Sequence, residues 1–254
     1  MRPVGLTSVT FRQLSVGEII ALARETGCTG IEWGSDVHIK PKQLDQTGQA
    51  AEACRLNQLA IFSYGSYYKL NQGLDPDTDF QAYLETAVKL GAPLVRIWAG
   101  RTASAQADED FFQKAVAETQ RCCDLAAKVG IDVAFEYHRK SLTDNSASAV
   151  KLLKAVNRPN CKTYWQPNPE LTAEENSREL EEIRPWLARV HVFSWLPDNT
   201  RLPLAAQEAA WKNWLTLIPR EIPLILEFVK EDQPEQFRQD METLQKWLPY
   251  NTCL

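Results

Sequence analysis

The sequence predicts a single (β/α)8 barrel, and three observations carry that prediction. Eight short apolar runs of strand length recur along 254 residues, helix-like stretches separate them, and no Pro-, Gly- or Ser-rich linker interrupts the series. A barrel of this kind typically takes about 250 residues, so one domain over residues 1–254 would use the whole length. Parallel strands are covered on both faces and read as near-continuous Val/Ile/Leu runs. Strands alternating with helical patterns imply βαβ units and a parallel sheet.

In order, the predicted strands are Val4–Thr10, Gly30–Trp33, Ala60–Tyr64, Leu94–Trp98, Ile131–Glu136, Cys161–Gln166, Ala188–Ser194 and Ile222–Phe228. The helices between them carry start and stop signals. Ser15-Val-Gly-Glu18 has capping-box spacing, after which Val16, Ile19, Ile20 and Ala23 share one helical face. Gly27, Gly91 and Gly130 stand where helices should end before the second, fourth and fifth strands. Thr172-Ala-Glu-Glu175 opens the sixth helix. Asp232-Gln-Pro-Glu235 is read as opening the eighth, whose Phe237, Met241, Leu244 and Leu248 form an apolar stripe to pack on the barrel. The largest loops, 64–78, 100–108 and 195–207, all follow strands. They would therefore open at the C-terminal face, where active sites of this fold lie.

Four of the strands deliver a polar, metal-capable side chain at or near their ends: Asp132-Val-Ala-Phe-Glu136, Thr163-Tyr-Trp-Gln166, Val190-His191-Val-Phe193 and Leu224-Ile-Leu-Glu227. A buried carboxylate or imidazole is costly without a partner or a metal. Successive marks lie roughly 30 residues apart, one βα unit, so parallel strands would bring them to one mouth. Two carboxylates, an amide oxygen and an imidazole form an oxygen-rich set that suits Mn²⁺ or Mg²⁺ better than a thiolate zinc site would. Trp33, Trp98, Trp165 and Trp195 all fall near strand C-termini, where indoles suit the apolar faces of a sugar ring.

These residues resemble the sugar phosphate isomerase/epimerase family of xylose-isomerase-like TIM barrels, which includes ketose 3-epimerases and inosose-processing enzymes. The resemblance runs from Gly5-Leu-Thr-Ser-Val-Thr-Phe11 to Leu226-Glu-Phe-Val-Lys230. It implies one divalent metal held by Glu136, Gln166, His191 and Glu227, with Glu136 and Glu227 acting as acid and base on either side of a substrate. Gln166 departs from the family, which has Asp there; a neutral amide attracts a cation less. The resemblance also implies substrate contacts for Glu32, Trp98, His138 and Arg201, the last as a guanidinium for a hydroxyl, carboxylate or phosphate oxygen. Arg96 and Arg101 are read either as substrate contacts or as partners of Glu32 and Asp36.

The expected activity is isomerisation or epimerisation of a sugar or cyclitol by metal-assisted proton abstraction beside a carbonyl. The alternatives are an inosose-type dehydratase and a metal-free sugar-binding or accessory protein. With no Gly-rich phosphate cradle, a non-phosphorylated polyol is favoured. Three histidines cannot build the multi-zinc cluster of endonuclease IV-like nucleases, and a net charge of −5 speaks against a nucleic-acid partner. No apolar stretch is long enough for a membrane, and the N-terminus lacks the long apolar region of a signal peptide. A cytoplasmic location is therefore expected, with Cys28, Cys54, Cys122, Cys123, Cys161 and Cys253 reduced. Self-association as a homo-oligomer is left open.

Overall fold

A computed structural model describes residues 2–248. Eight parallel strands close into a ring in chain order, from β1 to β8 and back to β1. They are β1 (Val4–Thr7), β2 (Gly30–Gly34), β3 (Ala60–Lys69), β4 (Leu94–Trp98), β5 (Asp132–Phe135), β6 (Cys161–Trp165), β7 (Leu187–Val192) and β8 (Leu224–Leu226). The helices between and after them are α1 (Val16–Glu25), α2 (Leu44–Leu56), α3 (Gln81–Leu90), α4 (Glu109–Ala127), α5 (Ser146–Val156), α6 (Ala173–Ile183), α7 (Glu208–Leu217) and α8 (Pro234–Trp247). The ring closes where Val4, Gly5 and Leu6 pair with Leu224, Ile225 and Leu226.

Helix starts follow the local chemistry. The Ser15 and Thr172 capping boxes are both formed. Gly91 ends α3 in the left-handed region at φ 78°, where a side chain would be strained. On α1, Ile19, Ile20, Leu22 and Ala23 are buried. On α8, Phe237, Met241 and Leu244 turn to the barrel, with Phe237 edge-on to Phe11 at 5.7 Å.

Three expectations change. The first strand stops at Thr7, and Ser8–Phe11 forms a 3₁₀ turn. The third runs on to Lys69 rather than giving way to a loop after Tyr64, because Ser66 and Tyr68 continue the buried series and Lys69 pairs with Trp98. Asp232 does not cap the eighth helix: the cap position is Gln233, without a side-chain bond, and the Asp232 carboxylate is taken by Arg201.

Inside the ring, Leu94, Ala134, Tyr164 and Ala188 make a small apolar cluster. Near it, Arg189 bonds the Phe62 carbonyl at 2.6 Å. The larger core lies between strands and helices. The cysteines at 28, 54, 122, 123 and 161 are free and buried there, and Cys253 lies outside the described residues. Among the described residues no helix is long and apolar enough to cross a membrane.

Candidate active site

Strand ends place the functional groups by simple alternation. Successive side chains on a strand point to opposite faces, so an inward Glu32 sends Trp33 outward and an inward Gln166 sends Trp165 outward. This corrects the reading of all four indoles as mouth walls. Trp33 is fully buried against His38, and Trp165 packs on Trp211 and Trp214 in the helix layer. Trp98 and Trp195 do line the mouth.

The mouth holds a cavity of about 280 Å³ whose lining includes Arg96, Trp98, Glu136, His138, Gln166 and Glu227. Glu136 and Glu227 follow directly from β5 and β8, and their backbone amides are held by the carbonyls of Ile97 (2.9 Å) and Val192 (3.0 Å). One oxygen from each meets a His191 nitrogen in a cluster whose atoms lie within 4.8 Å of one another. His191 is fully buried. Its Nδ1 faces Gln166 Oε1 at 3.1 Å and Glu227 Oε2 at 3.3 Å, and its Nε2 faces Glu32 Oε1 at 3.1 Å. The four residues expected at the metal position are thus brought together.

Arg96, which the sequence left either as a substrate contact or as a partner of Glu32 or Asp36, stands at the centre. It is 2% exposed. Its Nη1 lies 3.0 Å from Glu32 Oε1, its Nε 3.4 Å from Glu136 Oε2, and Nη1 again 4.0 Å from Glu227 Oε1. Gly65 on β3 makes room for it: a Cβ there would sit 2.9 Å from Nη2. The structure pairs it with Glu32 and sets it in the cavity wall, and Asp36 goes to Arg12 at 2.6 Å. The signal for Arg96 was a lone cation within an apolar strand, Leu94-Val-Arg96-Ile-Trp98. Tyr164 and Ser63, which bond Glu32 from below, gave no comparable sign.

Two expected substrate contacts are placed elsewhere. Glu32 is fully buried beneath the cavity and does not line it, because four protein donors consume its carboxylate. Arg201 pairs with Asp232 and lies over the rings of Trp195 and Phe228, outside the lining. Its loop folds back as a hairpin in which Trp195 bridges Arg201, turning the guanidinium to that acid. His138 stays at the mouth, its ring 4.5 Å from Trp98 and its Nδ1 2.6 Å from the Arg139 carbonyl. Arg12, Tyr67 and Arg139 also line the cavity and were not anticipated.

The charges sort themselves. Burial lifts the Glu136 carboxyl, and the charge of Glu227 adds to this against the pull of Arg96. Burial acts the same way on Glu227, but the charge and hydrogen bond of His191, with Arg96, outweigh it and hold that carboxyl below its ordinary range. Burial would lower His191, yet Glu227 and Glu32 raise it to about 10.

A closed parallel barrel with paired glutamates and a histidine at the C-terminal ends of its strands belongs to the class of TIM barrels with an active-site mouth. Residues 20–247 match the xylose isomerase-like TIM barrel family, and the chain belongs to that family. No curated protein matches it in sequence. Among solved structures, it is similar to a probable 3-DHS dehydratase involved in petrobactin synthesis from Bacillus anthracis. The TM-score is 0.81 at 20% identity, over 96% of this chain and 99% of that one. It is also similar to D-allulose 3-epimerase from Methylomonas sp., with TM-score 0.73 at 18% identity over 97% and 98% of the two chains. A third is 3-keto-D-glucoside 4-epimerase from E. coli, with TM-score 0.72 at 12% identity over 98% and 100%. At these identities the likeness speaks to the fold.

The donor set fits a single divalent ion. Glu136 Oε2 is a buried oxygen without a hydrogen-bond partner. His191 turns Nε2 to Glu32, which leaves Nδ1 on the side of Gln166 and Glu227.

Proposed function

We propose that the protein is an enzyme that isomerises or epimerises a small sugar or cyclitol by moving a proton on the carbon beside a carbonyl. The observation that carries this reading is the pair Glu136 and Glu227. They are nearly buried, they face one cavity from β5 and β8, and their environments push them in opposite directions. Pairs of titratable groups pushed apart in this way take the roles of acid and base. Glu227, held ionised, removes the proton from carbon; the electron pair moves to the carbonyl oxygen and gives an enediolate. Glu136, as the acid of the pair, returns a proton to the opposite face for epimerisation, or to the neighbouring carbon for isomerisation, in which case the hydroxyl proton on the first carbon passes to the former carbonyl oxygen. A divalent ion held by Glu136, Gln166, His191 and Glu227 would polarise the substrate oxygens.

The walls suit a polyol. Trp98, Phe193, Trp195 and Phe228 present aromatic surface, and the Trp98 indole N–H is without a protein partner. The rim arginines Arg12 and Arg139 are already paired with Asp36 (2.6 Å) and Glu170 (3.1 Å), which supports an uncharged substrate.

A screen of free ketoses, aldoses and inososes with Mn²⁺ in deuterated water tests the reading. Deuterium should enter at the reacting carbon, and Glu136→Gln or Glu227→Gln should each cut turnover by about 10²–10⁴-fold with the fold intact. Retention of the original hydrogen at that carbon would mean hydride transfer and end the proposal. A dehydratase begins with the same proton abstraction and then expels a neighbouring hydroxyl. The Bacillus anthracis structure that shares this fold, a probable dehydratase, is the reason to test this second reading. A conjugated carbonyl product absorbing in the ultraviolet would select it.

A further inference from the structure

Glu32 gives no atom to the cavity, yet four donors converge on it. Oε1 accepts from Arg96 Nη1 (3.0 Å) and faces His191 Nε2 (3.1 Å), and Oε2 accepts from Ser63 Oγ (2.8 Å) and Tyr164 Oη (2.6 Å). Arg96 Nη1 also lies 3.3 Å from His191 Nε2, but an ionised carboxylate can only accept, so a bond from the imidazole to Glu32 requires the proton on Nε2. A carboxylate has about four lone-pair sites, so these donors fill it and hold it in one orientation. His191 is the one donor of the four that also belongs to the cluster with Glu136 and Glu227, while Arg96 reaches the cavity wall.

An imidazole that gives its Nε2 proton to a fixed carboxylate must use Nδ1 for anything else, and here Nδ1 points to Gln166 and Glu227. We propose that Glu32 is a positioning residue that fixes the tautomer and ring plane of His191, so that the Nδ1 lone pair meets the divalent ion. This inference rests on the metal-assisted reading above. The carboxylate also enriches the ring: an anion on one nitrogen makes the other a better electron-pair donor, and such supporting partners typically set metal affinity by about 10–100-fold. Ser63, Tyr164 and Arg96 keep the carboxylate from swinging away.

Calorimetric titration with Mn²⁺ tests this on the full chain. Mn²⁺ binding should weaken by about 10–100-fold in Glu32→Gln. It should weaken in the same direction in Glu32→Asp, which keeps the charge for Arg96 but is one methylene short of His191. Nitrogen-15 spectra of the Zn²⁺-loaded wild type supply a measurement that needs no folded variant. The chain has three histidines; the ring whose nitrogen resonances shift on Zn²⁺ loading is assigned to His191, and its proton should sit on Nε2. A Zn²⁺-loaded His191 protonated on Nδ1, or a folded Glu32→Gln that binds Mn²⁺ within twofold of wild type, would overturn the inference alone. Wild type that binds no Mn²⁺ would overturn it together with the metal-assisted reading.

Discussion

At the scale of single residues, Gln166 and His191 decide how the site is charged. Gln166 meets His191 Nδ1 through its neutral amide oxygen at 3.1 Å. Gln166→Asp should tighten Mn²⁺ binding by about 1–3 kcal/mol, the part of a nearby charge's attraction that survives desolvation at an effective dielectric near 20. A titration showing no gain would remove this position from the ligand set. His191 supplies a pH dependence. In protein kept free of metal by EDTA, burial would lower its pKa, but Glu227 and Glu32 outweigh that and raise it from 6.5 to about 10. A raised folded value means that the stabilisation is complete below pH 6.5 and is lost as pH rises through 10. Thermal midpoints in EDTA should fall over that window, and His191→Gln should flatten the fall. An equally steep fall in the variant would assign the dependence to other groups.

At the scale of elements, what the sequence disclosed follows from which forces are local. Strands buried on both faces announce themselves as apolar runs, so all eight were legible, and capping boxes need only four consecutive residues. Thr172→Ala makes the second point testable. Thr172 Oγ1 accepts from the Glu175 amide at 3.2 Å, and Glu175 Oε2 accepts from the Thr172 amide at 2.8 Å. Losing that box should cost about 0.5–2 kcal/mol in urea unfolding, with Mn²⁺ binding unchanged. An unchanged urea midpoint would show that α6 is held by packing alone. Long-range pairings were not legible. Arg96 meets Glu32 and Tyr164 across the barrel, contacts set by ring closure and by the notch at Gly65. Arg201 was drawn to Asp232, which comes from the segment before α8, and no local pattern connects the two. The glutamates and His191 were readable because a charge inside an apolar strand is conspicuous wherever its partner lies.

At the scale of the whole molecule, the packing between barrel and helices should silence the thiols. Cys28, Cys54, Cys122, Cys123 and Cys161 are buried, and burial pushes Cys28 up to about 12 against a hydrogen bond from Thr26. A disulfide reagent at pH 8 should leave these five unmodified in the native protein and label all of them in denaturant, as read by peptide mass mapping. Native labelling of Cys123 or Cys161 would reveal opening of the layer beneath α4. The seam between β1 and β8 has a consequence for the order in which the protein becomes competent. Those two strands stand at opposite ends of the described chain, so their pairing must overcome the largest loop-closure entropy in the fold. Glu227 rides immediately behind that closing strand. A folding intermediate with seven strands in place would already hold Glu136, Gln166 and His191 near one another, and would still lack Glu227, the base of the proposed reaction. On the proposed mechanism, chemistry would begin only when the ring shuts, and turnover would itself be a report of complete folding.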